Sequence, residues 1–184
     1  MTPEKTRESG LRHGLIIYDK HVAFYGSGLS NFYNCRVEYH GKVFKSSEQL
    51  FMYLKAVHFG DELTASLICA AETPRDAKYL GRKVKGFKED DWVEHRQEYM
   101  EIALMAKFIQ NPALKDLILD PEFEGKHFVE GSPSDKIWGV GIHYTDPRVD
   151  WPSEWQGKNL LGQCLDNIRT VLREAYQLSG YPEN

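Results

Sequence analysis

Hydrophobic and polar positions change their period along the chain. Residues 1–13 are polar and charged, with no repeat that could bury a face, and are expected to form a loose tail. From 15 to 45 the apolar positions are β-branched and aromatic and come in short runs. LIIYDKHVAFYG (15–26) and CRVEYHGKVFK (35–45) read as strands, and His40-Gly41 between Val37/Tyr39 and Val43 reads as a hairpin turn. Beyond residue 45 the spacing lengthens to that of helices. Ser46 and Gln49 have the spacing of a capping box, and EQLFMYLKAVHF follows them. A second helix begins near Asp61, and Thr73-Pro74 with Asp76 opens a shorter one closed by Gly81. Asp91 with Glu94 is expected to cap a long helix to about Gln110, and Asn111-Pro112 starts the next. Leu161, Cys164, Leu165, Ile168, Val171, Leu172 and Ala175 carry the 3.6-residue stripe of the last helix, with Gly180 beyond its end. No linker-like stretch or repeat divides the chain. The expected fold is mainly α, a single compact helical domain over 14–180 with a small β element near its N-terminal side.

Composition narrows the class without naming an activity. The 184 residues are enough to bury a real core, and 41% hydrophobic with 27% charged residues is ordinary for a soluble protein. A formal charge of −4 argues against wholesale attraction to nucleic acid but leaves room for a local basic patch. Cys35, Cys69 and Cys164 are odd in number and far apart, and read as reduced thiols in an intracellular protein, cytoplasmic or nuclear. No apolar run has the length of a membrane span, so no membrane partner is expected. The seven histidines show neither H-E-x-x-H nor a pair at ligand spacing with acids, and no P-loop or G-x-G-x-x-G appears. Neither a metal nor a cofactor is expected.

Four places could carry chemistry. The helix at 48–58 is apolar almost all round through Leu50, Phe51, Met52, Tyr53, Leu54, Ala56 and Val57, and should be buried. Yet Glu48 and Lys55 lie on one face of it, two turns apart. A buried charge is costly unless paired, so they read either as a helix-end acid with an outward lysine, or as a pocket wall offering an acid and an amine. PRDAKYLGRKVKGFK (74–88) gathers Arg75, Lys78, Arg82, Lys83, Lys85 and Lys88 against the single acid Asp76, a solvated face or a seat for phosphates. SPSDKIWGVGIHYTDP (132–147) places Asp135 before Trp138, Gly139 and Gly141 in one irregular segment. WQGKNLLG (155–162) sets Lys158 and Asn159 at the start of the last helix, either an N-cap or a seat for a pyrophosphate on free N–H groups.

In this order, FYGSGLSNFY, SSEQLFMYLKA, LGRKVK, ALMAKF, DKIWGVG and GKNLLGQCLDNIR resemble the successive motifs of the YbiA-like proteins, also called NADAR after NAD and ADP-ribose. The resemblance runs from about residue 24 to 173 and is specific through the order of its motifs. It implies a mainly helical fold and a metal-independent N-glycosidase, acting on phosphorylated intermediates of riboflavin synthesis or removing ADP-ribose from guanine. Glu48 and Lys55 fall on the family's S-E-x(6)-K, Asn31 and Phe32 on its S-N-F, and Trp92 and Lys107 on the Trp and A-K-F of its long helix. Asp135 and Trp138, with Gly139 and Gly141 beyond, fall on its D-x-x-W-G loop; Asn159 and Gly162, after Lys158, fall on its G-x-N-x-L-G. Four positions depart from bacterial members: Pro133 and Ser134 where an acid-Asn pair is usual, Val140 where Asp is frequent, and Gln49 where His is frequent.

By that resemblance, Glu48, Lys55 and Asp135 are the expected catalytic groups. Trp138 is the expected stacking face, and Gly139 and Gly141 let backbone approach the ligand. Asn31, Phe32, Arg82, Trp92, Lys107, Lys158, Asn159 and Gly162 are the remaining expected contacts. The expected partner is an ADP-ribose-containing substrate, as a nucleotide or on DNA or RNA, met by a monomer. A module that binds NAD or ADP-ribose without cleaving it is the rival from another class.

Overall fold

The computed structural model describes residues 10–178, so the distal part of the expected tail and Gly180 lie outside the described residues. The expected looseness does not extend through residue 13. Leu11 is buried, its carbonyl accepts from Gly28 N at 2.7 Å, and Arg12 pairs with Asp120 at 3.0 Å. The contacts of the chain group it into two compact units, one from Asn31 to Pro112 and one formed by the segments on either side.

The flanking unit holds a three-stranded sheet. β1 (Leu15–Ile17) pairs antiparallel with β2 (His21–Phe24), so the run at 15–26 folds as two strands. β5 (His127–Glu130) lies parallel on the other side of β2, with Val22 opposite Phe128 and Ala23 opposite Val129. Val22, Ala23, Phe24, Phe128 and Val129 are fully buried, which fits a central strand covered on both faces. Ala23 and Val129 pack with Val140, Ile142 and Val149 into one core cluster. Val140 therefore serves as core, fully buried. The last helix, Leu160–Leu178, packs against β5 and buries Leu161, Cys164, Leu165, Ile168 and Leu172. Val171 and Ala175, assigned to that stripe from the sequence, are exposed: the apolar arc is narrower than the pattern suggests.

The Asn31–Pro112 unit is a hairpin and a helical cluster. β3 (Val37–Tyr39) and β4 (Lys42–Phe44) pair antiparallel as expected, and His40 (φ 47°) with Gly41 (φ 72°) forms the two-residue turn. Four helices follow: α1 (Ser47–His58), α2 (Glu62–Cys69), α3 (Pro74–Gly81) and α4 (Glu89–Gln110). We number α5 for Pro112–Ile118 and α6 for the last helix. α1 is central and packs against α2, α3 and α4, so its sequence is apolar almost all round, although Val57 is exposed. Ser46 Oγ accepts from Gln49 N at 3.1 Å, as a cap should. Gln49 does not close the box: its Oε1 accepts from Lys45 N, and its Nε2 donates to the Ile68 and Ala71 carbonyls at the end of α2. Gln49 thus braces the start of α1 against the end of α2. Asp61 and Thr73 cap α2 and α3 as expected. α4 begins three residues earlier than expected, with Lys88 in place of Asp91 at the cap position and no side-chain cap. Glu89, Asp90 and Asp91 all sit in its first turn, where the helix dipole favours negative charge. No described helix is long and apolar enough to cross a membrane.

Candidate active site

Within the Asn31–Pro112 unit, Asn31 and Glu48 form a buried pair at the start of α1. Asn31 is 3% and Glu48 5% exposed. The Asn31 carbonyl accepts from Glu48 N at 3.0 Å and Ser47 Oγ at 3.3 Å, which fixes the residue across the first turn. Its side-chain amide donates to Glu48 Oε2 at 2.6 Å, a short, charge-assisted bond. Asn31 Oδ1 is buried and accepts no hydrogen bond among the described residues. A buried acceptor in that condition is unusual enough to ask for a ligand or solvent donor.

Two turns along α1, Lys55 is half-buried. Its Nζ lies 4.3 Å from the centre of the Phe87 ring and 5.5 Å from that of Trp92, an aromatic cradle for the ammonium. Burial lowers the Lys55 pKa; Glu89 and Glu48 oppose the shift, and Arg82 reinforces it. The sequence left the net direction open, and in the folded chain it is downward, so the amine gives up its proton more readily than an ordinary lysine. Trp92 is nearly buried and stacks on Tyr99 with ring centres 5.8 Å apart. Phe32 is exposed, with Lys78 Nζ 5.4 Å above its ring, and Arg82 is exposed after α3. Lys107, on α4, has no exposed surface, and burial brings its pKa down to about 8, opposed by Cys35. Tyr33 and Phe108 are its aromatic neighbours, 5.9 and 5.1 Å from Nζ.

The 132–147 loop, in the flanking unit, organises itself. Asp135 Oδ1 accepts from Ile137 N at 3.0 Å and Trp138 N at 2.8 Å, a local turn that sets the half-buried Trp138. Gly139 is tight against protein instead of open to a ligand: a Cβ there would stand 2.9 Å from the Glu130 carbonyl oxygen and 3.0 Å from that of Asp135. Gly141 has φ +71°, which a side chain would strain.

The start of α6 departs furthest from expectation. Asn159 adopts φ 52° and is not a simple cap. Its Oδ1 accepts from Glu130 N at 3.0 Å and its Nδ2 donates to the Phe128 carbonyl at 2.9 Å, pinning the helix to the end of β5. The N–H groups of Asn159, Leu160 and Leu161 donate to the carbonyls of Gly139, Ile137 and Trp138. Those groups are therefore spent on the loop and cannot hold a pyrophosphate. Gly162 lets this junction close, since a Cβ there would fall well inside 3.0 Å of the Phe128 carbonyl oxygen and the Asn159 side chain. Lys158 is exposed beside it.

One group escaped the sequence reading. His58, Asp91 and His95 come together at the end of α1 and the start of α4, although no histidine pair at ligand spacing with an acid was expected. The Asp91–His95 spacing of one helical turn was visible; the approach of His58 from another helix was not.

The chain belongs to the NADAR domain family, whose model matches residues 18–173. It is 38% identical over 131 residues to protein irg-1 of Caenorhabditis elegans, covering 70% of this chain but only 61% of that one. It is 41% identical over 125 residues to N-glycosidase R617 of Acanthamoeba polyphaga mimivirus, covering 67% of this chain and 72% of that one. Its fold is similar to the NMR structure of the Escherichia coli protein YbiA, with a TM-score of 0.70 and 26% identity over 95% of this chain and 96% of that one.

Proposed function

We propose that this chain is an N-glycosidase that hydrolyses the bond between ADP-ribose and guanine, in a nucleotide or in nucleic acid. The observation that carries the proposal is the placement on α1 of a buried carboxylate, Glu48, held by Asn31 at 2.6 Å, and of an amine, Lys55, whose protonated form burial disfavours. Membership of a family with relatives named N-glycosidases supports the reaction class.

Cleavage develops positive charge on the ribose anomeric carbon and negative charge on the leaving base. A fixed carboxylate answers the first. The neutral Lys55 amine attacks that carbon, the carbon–nitrogen bond to guanine breaks with its electron pair on the base, and a proton from the resulting ammonium reaches the base, relayed by Glu48. The ribose ring oxygen then leaves as a hydroxyl with the second amine proton, giving an imine. Water adds to the imine and releases the amine and ADP-ribose. Lys55 is preferred to Lys107 as the nucleophile because it is half-exposed, whereas Lys107 has no accessible surface.

The protein is incubated with ADP-ribosylated guanosine, ADP-ribosylated DNA and a phosphorylated riboflavin intermediate, with borohydride added during turnover. Free ADP-ribose from either guanine substrate and a ribosyl adduct mapping to LFMYLKAVHF are expected. Lys55→Ala and Lys55→Arg should lose both, since a guanidinium keeps the charge but forms no imine. Glu48→Gln should lose on the order of a hundredfold in rate with helical content unchanged. Because the Lys55 pKa is lowered, the rising limb of the pH–rate profile should lie below the ordinary lysine range. Cleavage of the riboflavin intermediate alone would reassign the substrate, and ADP-ribose binding without any release would make the chain a reader. Full activity in Lys55→Arg would end the covalent route.

A further inference from the structure

We propose that His58, Asp91 and His95 form a binding site for a divalent transition-metal ion of the zinc class. The three residues offer two imidazole nitrogens and one carboxylate oxygen within 4.8 Å of one another. Ligands of these types hold zinc at about 2.0–2.2 Å, which puts donor atoms roughly 3–4 Å apart in a tetrahedral site. His58 Nε2 already stands 2.9 Å and His95 Nδ1 3.1 Å from the same Asp91 oxygen. His95 Nδ1 also lies 2.8 Å from the Asp91 backbone carbonyl oxygen, so an ion between the three side chains would replace the His58–Asp91 proton and take His95 Nδ1 from that carbonyl, with water completing its coordination.

Two further features favour an ion over a merely hydrogen-bonded cluster. His58 Nδ1 is 2.9 Å from Tyr99 OH, so the ring is oriented from behind, with Nε2 turned to Asp91, as an outer partner orients a metal-bound histidine. Access is also present: the side chains of His58, Asp91 and His95 are 15%, 41% and 39% exposed. The chain's other close histidine–acid pairs among the described residues, His21–Asp150 and His127–Asp166, each bring one histidine to the acid. Two nitrogens with one oxygen suit zinc, copper or nickel better than calcium or magnesium. A bound ion would tie the last turn of α1 to the first turns of α4, beside the Trp92 ring that lies under Lys55. This inference does not depend on the glycosidase reading.

The full chain, freed of metal and with its cysteines kept reduced, is titrated calorimetrically with zinc chloride near neutral pH. One ion per chain at micromolar or tighter affinity is expected, with a melting temperature that rises with zinc concentration. His95→Gln and Asp91→Asn should each weaken binding at least tenfold, whereas His127→Gln should leave it unchanged. His95 is half-exposed, so its variant tests the site even if replacing His58 unfolds the chain. Saturable binding that survives His95→Gln would place the ion elsewhere, on a thiol for instance, and overturn the proposal. So would the absence of saturable binding.

Discussion

At Lys107 a lysine side chain has no contact with solvent, and burial moves its pKa from 10.5 down to about 8. Below about pH 8 the folded chain must carry a buried ammonium, so the group weighs against folding there. Between about 8 and 10.5 the folded state releases the proton while the unfolded chain keeps it, so this contribution to stability rises with pH. The gain across that window is about 3 kcal/mol at most. Urea unfolding at pH 7 and pH 10 should show it as a difference between the parent and Lys107→Met, in which the other titrating groups cancel. A parent whose pH dependence matches that of Lys107→Met would mean the amine is not buried in solution. The sequence showed that Lys107 lies on the long helix but not that it is enclosed. Helical spacing assigns a face, whereas Cys35 and Tyr33, far earlier in the chain, become its neighbours only through the fold.

At the scale of elements, the features that local chemistry decides were legible. The Ser46, Asp61 and Thr73 caps and the His40-Gly41 turn depend on residues within a few positions of one another, and they stand where the sequence placed them. The start of α6 was not legible, because its partners are the carbonyls of 137–139 and the backbone of β5. A Gly and an Asn at a helix start look like a ligand cradle, but here they let one piece of the chain close upon another. Gly162→Ala should therefore cost about 1–3 kcal/mol as an overpacked contact, or more if the Phe128 carbonyl cannot withdraw. Asn159→Ala should be destabilising too, losing both side-chain bonds to β5 and placing alanine at φ 52°. Melting temperature is the measurement that matters. An unchanged melting temperature with weakened ADP-ribose binding would return both residues to the ligand.

For the whole molecule, the net charge of −4 hides an uneven distribution. Arg75, Arg82, Lys83, Lys85 and Lys88 are exposed along 74–88, with Tyr79 and Phe87 exposed between them. Lys83 also stands over the Tyr79 ring, 4.0 Å from its centre. Cations interleaved with aromatic faces form the surface a single strand uses, phosphates on the charges and bases on the rings. If the substrate guanine sits in such a strand, apparent affinity should fall steeply with salt. Replacing Lys83 and Lys85 with Gln should then flatten the slope of log affinity against log salt by about 1.4, two phosphate contacts at the single-strand value. Cleavage of ADP-ribosylated guanosine should be spared, because a mononucleotide does not extend along the stretch. Equal losses on strand and nucleotide would show that these lysines serve the reacting site itself. A salt slope unchanged by the double substitution would leave 74–88 a solvated helix face, and would shift the substrate reading toward a small phosphorylated molecule.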